Sequence, residues 1–198
     1  MSQEKKYLVH PEYIIIFLVL AGVTALFLGF SVAYMYNRIQ FGLPAVKLPN
    51  LFYFNTIILL TTSYLLTRAK KAYLDDETVK YEKVLWYTLG LTVLFLVLQI
   101  LAWMELHAMN IQLSGSDMGS YLYVISGMHF VHVIAGIPFL AYFIYVAHYR
   151  MKEPVSVLIY FTDPSKKRKL NLLTLYWHFL DFLWIYLVLF FLVNYLIK

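Results

Sequence analysis

Three histidines and one aspartate, His129, His132, His178 and Asp181, stand in stretches otherwise built from aliphatic and aromatic residues. Imidazoles and carboxylates ligate metals and move protons, and an ionisable group in an apolar run is costly enough to demand a use. His129 and His132 are three residues apart and share one helix face, as do His178 and Asp181. Three chemistries fit these residue types. A metal site between helices would need three or four ligands converging at one depth. A bis-histidine heme would need ligands from facing helices, since two neighbours on one face cannot clasp an iron from opposite sides. Inter-helix hydrogen bonding asks less geometry and contributes roughly 1 kcal/mol per contact.

Depth bears on the choice. His129 lies about ten residues into its apolar run from one end, and His178 about eight residues into its own from the other. At about 1.5 Å per residue these depths can differ by a helical turn. Other polar residues in or at the ends of apolar runs include Asn55, Thr56, Thr61, Thr62, Ser63, Gln99, Glu105, His107, Ser126 and Asn194. The Thr61–Ser63 hydroxyls are expected to bond back to their own helix. Ser126, Gly127, Ala135 and Gly136 are small enough to let another helix approach. Trp86, Trp103 and Trp177, placed near the ends of apolar runs, read as interfacial anchors.

The elements that would carry these residues are long. The chain has 198 residues, 62% hydrophobic and 14% charged, and its mean hydropathy is +0.68. A soluble domain carries about 25% charged residues, so part of this surface must face lipid. Five apolar stretches are expected to be long enough to span roughly 30 Å of hydrocarbon, which takes about 20 helical residues: about Pro11 to Tyr36, Leu51 to Thr67, Val84 to Leu106, Gly119 to His148 and Leu170 to Ile197. Helices are the expected form, because each satisfies its own backbone hydrogen bonds in lipid. The fold class is therefore an all-α integral membrane bundle of five transmembrane helices in a single domain, residues 1–198. The first helix is expected to be a retained span rather than a cleaved signal peptide. No cysteine is present, which excludes disulfides and thiolate metal sites on this chain.

Charge placement gives the expected orientation. The N-terminal tail (Lys5, Lys6), the second connection (Arg68 to Lys83) and the fourth (Arg150 to Lys169) hold thirteen Lys and Arg residues on one side; Arg38, Lys47 and Lys198 make three on the other. The positive-inside rule places the N-terminus in the cytoplasm and the C-terminus outside. The basic balance reports membrane orientation, not nucleic-acid binding. A small transporter also fits the composition, although five helices do not divide into equal repeats.

The polar residues also form a pattern. Tyr121 to Gly136, with Ser126-Gly127 and His129-x-x-His132-Val133, resembles the signature of heme-copper oxidase subunit III, the family found in cytochrome c and quinol oxidases. Tyr176-Trp177-His178-Phe179-Leu180-Asp181 with Trp184 is similar to that family's last helix, and Asn55-Thr56, Gln99 and Trp103 fall at familiar spacing. The resemblance covers essentially the whole chain and implies the five-helix bacterial form. It implies a multi-pass protein of the bacterial inner (plasma) membrane that packs on a catalytic subunit I and other respiratory subunits. It implies phospholipid binding, no cofactor or metal on this chain, and heme and copper on partner subunits. Under it, His129, His132, Trp177, His178, Asp181, Gln99 and Trp103 are lipid-cleft or inter-helix polar contacts and none is catalytic. The chain departs from the family pattern at three places. Ala21 to Thr24 replace a Ser-Glu pair, Ala102 replaces a Glu, and Phe130 replaces the Gly between the histidines. The resemblance thus carries over no intramembrane carboxylate at the first two. An accessory subunit of a quinol oxidase or nitric oxide reductase, an independent histidine-based membrane metalloenzyme and a small transporter remain the alternative readings.

Overall fold

The computed structural model describes residues 10–111, 117–151 and 154–197. The tail lysines Lys5 and Lys6, together with Lys152 and Lys198, lie outside the described residues. Six helices follow in order: α1 (Pro11–Phe41), α2 (Asn50–Leu74), α3 (Thr78–Ala108), α4 (Asp117–Arg150), α5 (Pro154–Thr162) and α6 (Pro164–Leu196). No strand occurs among the described residues.

Local chemistry explains the boundaries. Pro11 occupies the first turn of α1, where its missing N–H is no loss. Gly42 ends α1 at φ 59°, with its N–H bonded to the Arg38 carbonyl, a left-handed cap that glycine adopts without a Cβ penalty. The turn from α2 to α3 takes only Asp75 to Glu77, which forces the two helices into an antiparallel hairpin, the most extensive pairing in the molecule. At the start of α6, Asp163 accepts the Ser165 N–H at 2.8 Å and Pro164 takes the first helical position.

α6 is the central helix: it packs against α2, α4, α1 and α5. α4 lies against both α3 and α6, and α1 covers α4 and α6 from outside. The core has two parts. One, around Phe27, Phe52, Phe95, Leu122 and Trp184, joins all five long helices. The other, around Leu66, Tyr73, Tyr81, Leu140 and Trp177, fills the end of the bundle that carries most of the Lys and Arg residues.

The outside of the bundle is apolar. Phe182 is 72% exposed, Leu18 68% and Phe139 64%, as befits a surface wetted by hydrocarbon. Among the described residues four helices, α1, α3, α4 and α6, are long and apolar enough to cross a membrane. The stretch expected as the second span lies on α2, which is not among these four: hydroxyl residues fill its middle and Arg68, Lys70 and Lys71 its last turns. The helices also outrun the expected spans. α2 continues to Leu74 and α3 begins at Thr78, because Ala69, Ala72, Tyr73 and Tyr81 bury against one another and against α5 beyond the apolar run. The basic connection before the last span, read from sequence as a loop, contains α5, whose Tyr160 carbonyl accepts the Tyr73 hydroxyl at 3.0 Å.

Candidate functional site

The nominated polar residues lie on α3, α4 and α6 and make separate contacts along the bundle. On α4, His129 is completely buried. Its Nε2 lies 3.1 Å from the Leu180 carbonyl of α6, and since a carbonyl only accepts, Nε2–H is the donor. The ring is held between Trp184, at 4.9 Å, and Phe95, at 5.8 Å. Its Nδ1 has no hydrogen-bond partner among the described residues.

His132 does something different. Its Nδ1 donates to the Met128 carbonyl of its own helix at 2.6 Å, and its ring faces Phe27 of α1 at 6.0 Å. The His132 backbone carbonyl accepts the Tyr176 hydroxyl at 2.9 Å, tying α6 to α4. His178 looks the other way, toward α2: Nδ1 is 2.6 Å from the Ser63 hydroxyl and Nε2 3.4 Å from that of Thr67. Asp181, one turn on, is 3% exposed, and among the described residues neither carboxyl oxygen reaches a hydrogen-bond partner, Ser63 being its polar neighbour.

The α2–α3 pair is joined by a hydrogen bond between side-chain amides: Asn55 Nδ2 donates to Gln99 Oε1 at 2.9 Å, both residues fully buried. Trp103 of α3 donates its indole N–H to Ser126 of α4 at 3.0 Å. Trp184 of α6 donates to Thr56 of α2 at 3.1 Å and stacks on Phe52. Each of these bonds removes a polar group from lipid and fixes one helix against the next.

Two sequence expectations change here. Trp86 is half exposed, as an anchor would be, but Trp177 is 2% exposed and Trp103 is turned inward onto Ser126. The reason for Trp177 is Gly136: a Cβ built there would lie 2.7 Å from Trp177 Cζ3, so the indole occupies the space a side chain would need. The hydroxyl run of α2 behaves as expected at Thr61 and Thr62, which bond to backbone carbonyls of α2, but Ser63 reaches across to His178.

The structure therefore sends the three histidines to three different partners. Among the described residues no three His, Asp or Glu side chains gather where an ion could be held. What the arrangement does chemically is cross-link helices. Sequence reading missed the Thr56–Trp184 and Tyr176–His132 bonds, and also the outer clasp in which Arg38 of α1 donates to Asn194, at 3.0 Å, and to the Ile197 carbonyl. A motif search weights ionisable groups; a Thr or Tyr hydroxyl in a helix gives no signal until its partner helix is placed. A groove of about 580 Å³ also opens between α1, α4 and α6, and none of the seven nominated residues lines it.

Comparison with known proteins agrees with this architecture. Residues 13–196 match the model of the family described as cytochrome c oxidase subunit III. The chain is 28% identical over 187 residues to a cytochrome c oxidase subunit 3 from Synechocystis, covering 90% of this chain and 74% of that one. It is 28% identical over 135 residues to the Cyanidium caldarium protein of the same name and 29% identical over 136 residues to that of Schizophyllum commune. These two matches cover 68% and 69% of this chain but only 45% and 46% of those relatives, so the chain spans about half their length. With a family match running nearly from end to end over a bundle of membrane-length helices, the chain belongs to the cytochrome c oxidase subunit III family.

Proposed function

We propose that this chain is the non-catalytic subunit III of a bacterial heme-copper terminal oxidase. It packs on the catalytic subunit I in the plasma membrane, binds phospholipid and supports oxygen reduction coupled to proton translocation. Heme and copper belong to partner subunits. The whole chain acts as one membrane domain with five spans, the N-terminus in the cytoplasm. The observation that carries the reading is the dispersal of the family-motif side chains. His129, His178, Gln99 and Trp103 each serve a separate helix pair, which suits a scaffold. α2 as the fifth span is supported by its 25 residues, roughly 37 Å of helix against about 30 Å of hydrocarbon. Its polar residues Asn55 and Thr62 are buried in the bundle, and the half-buried Ser63 is bonded to His178.

The test is a conservative change at the most buried of these groups. His129→Gln, made in the oxidase complex, is expected to lower the yield of assembled complex while the complex that survives keeps its heme absorption bands. Full assembly with a shifted or missing heme band contradicts a scaffolding role for His129.

A further inference from the structure

The seam between α2 and α6 carries a row of polar groups that deepens from one end to the other. On α2, Ser63, Thr67 and Lys70 are spaced four and three residues apart and share one face. On α6, His178 and Asp181 share another. The two faces meet: His178 Nδ1 is 2.6 Å from the Ser63 hydroxyl, and Nε2 is 3.4 Å from that of Thr67. Lys70 lies near enough for its charge to act on His178, and Ser63 is the polar neighbour of Asp181. Burial rises along the row. Thr67 is exposed, Ser63 and His178 are half-buried, and Asp181 is buried.

Three features define what the row can do. Its mouth lies at the edge of the water, because Thr67 is followed at once by Arg68, Lys70 and Lys71, where α2 leaves the hydrocarbon. Its floor is an acid whose two carboxyl oxygens have no hydrogen-bond partner among the described residues. Burying such a group is costly, and a proton or a water molecule is small enough to relieve it. The row is also closed beyond that floor. Trp184, the next turn of α6, is fully buried, stacked on Phe52 and bonded to Thr56 of α2, an aromatic plug on the side away from Lys70. The other elements packed on α6 bring few titratable groups toward this place. His129 of α4 is bonded to the Leu180 carbonyl and His132 to its own helix, Glu12 of α1 is held by Arg168 at the rim, and Tyr160 of α5 packs on Tyr73.

We propose that Asp181 is a proton-binding site open to the basic side of the membrane alone, reached along the α2–α6 seam by way of Thr67, His178 and Ser63. A proton from water enters at His178 Nε2. The Nδ1 proton then passes to the Ser63 oxygen, and the Ser63 hydroxyl proton passes to a carboxylate oxygen of Asp181. One proton is taken from water and one is held on the acid; release runs the same transfers backward. From Lys70 to Ser63 the seam is roughly 10 Å deep, about a third of the hydrocarbon, so the site is a well with one mouth. The inference rests on the membrane reading above and is independent of assembly with an oxidase.

The experiment has two arms, both on the full chain. The chain contains no cysteine, so single cysteines report water directly. Ser63→Cys and Thr67→Cys are treated with a charged, membrane-impermeant thiosulfonate in membrane vesicles of either sidedness. Both are expected to react from the side that labels Asp75→Cys at the end of α2, and neither from the side that labels Lys47→Cys. Thr62→Cys, at a fully buried position, stays unreacted. A Ser63→Cys that reacts from neither side, or from the Lys47 side, overturns the well. Asp75→Cys and Lys47→Cys reacting from one and the same side overturns the membrane reading instead. The second arm follows the carboxylic-acid C=O stretch of the purified chain by infrared spectroscopy as pH is changed and on transfer to heavy water. Asp181→Asn is expected to remove one pH-dependent band, and Asp181→Glu, which keeps the acid, to shift it. Ser63→Ala keeps the band but slows its deuterium shift on the order of a hundredfold, the loss of one positioned proton-transfer group. An infrared spectrum that is the same in wild type and in folded Asp181→Asn or Asp181→Glu overturns the proton site, and an unslowed shift in Ser63→Ala overturns the route.

Discussion

Gly136 offers the sharpest quantitative prediction. A methyl group added there meets Trp177 Cζ3 at 2.7 Å, Trp177 Cη2 at 3.0 Å and Tyr176 Cε1 at 3.0 Å. The first two atoms belong to a rigid ring that is itself buried, so the strain cannot be relieved by swinging a flexible tip aside. Overpacking of this kind costs about 1–3 kcal/mol. Against it stands the helix preference of alanine over glycine, about 0.5–1 kcal/mol. Gly136→Ala should therefore be destabilising by a net of up to about 2.5 kcal/mol. Gly127, nine residues earlier on the same helix, is the internal control. A Cβ there meets nothing within 4 Å, so Gly127→Ala should show only the helix gain of about 0.5–1 kcal/mol. The assay is reversible unfolding in mixed micelles, followed by tryptophan fluorescence and circular dichroism. A second arm tests the cause: Trp177→Phe removes Cζ3 and Cη2, so the double variant with Gly136→Ala should cost less than the two single costs added. If Gly136→Ala is as stable as Gly127→Ala, or if the double variant is strictly additive, the packing of α4 on α6 through this glycine is wrong.

Two further outcomes follow from the hydrogen bonds. Asn55→Leu strands the buried Gln99 amide and should cost about 1–3 kcal/mol, whereas Asn55→Leu with Gln99→Leu should cost less than either single change, read by the same unfolding assay. At the start of α6, the Ser165 backbone N–H foremost, then its hydroxyl and Lys166, hold the Asp163 carboxyl below its usual range. A depressed carboxyl contributes stability that is present above its unfolded value and lost as pH falls through its folded value. Helicity at the start of α6 should hold through neutral pH and fray below about pH 4, and Asp163→Ala should abolish that acid-dependent step, as read by amide hydrogen exchange of residues 164–167.

Much of this fold is legible in the sequence because apolar run length is a direct readout of membrane thickness. α1, α3, α4 and α6 were all visible that way. The same criterion hides whatever continues past the lipid. The last turns of α2 and the first of α3 are helical because Tyr73 and Tyr81 bury outside the apolar runs, and α6 already starts at Pro164, behind the Asp163 cap, so a hydropathy reading cuts each helix short. This explains the misplacement of Trp177. It lies near the start of an apolar run beginning at Leu170, yet it comes thirteen residues after Pro164, well inside α6. α5 is only nine residues long and could not register as a span, although Pro154 at its start and Asp163-Pro164 after it are ordinary helix punctuation. The site was legible as a set of residues and illegible as pairs. Helical spacing placed His129 with His132 on one face, but which carbonyl or hydroxyl each would meet depends on how α2, α4 and α6 are rotated against one another. That rotation is set by features such as Gly136 and the Phe52–Trp184 stack, which carry no signal one residue at a time.

The central claim is that this chain is a scaffold within a larger heme protein, and co-purification tests it most directly. A tagged copy of the full chain would be drawn from its native membrane in mild detergent and a reduced-minus-oxidised spectrum taken of everything that accompanies it. The account predicts a much larger heme-bearing partner in fixed ratio, and a colourless chain once the two are dissociated. A chain that comes out alone, or that keeps heme or metal of its own after dissociation, would contradict it.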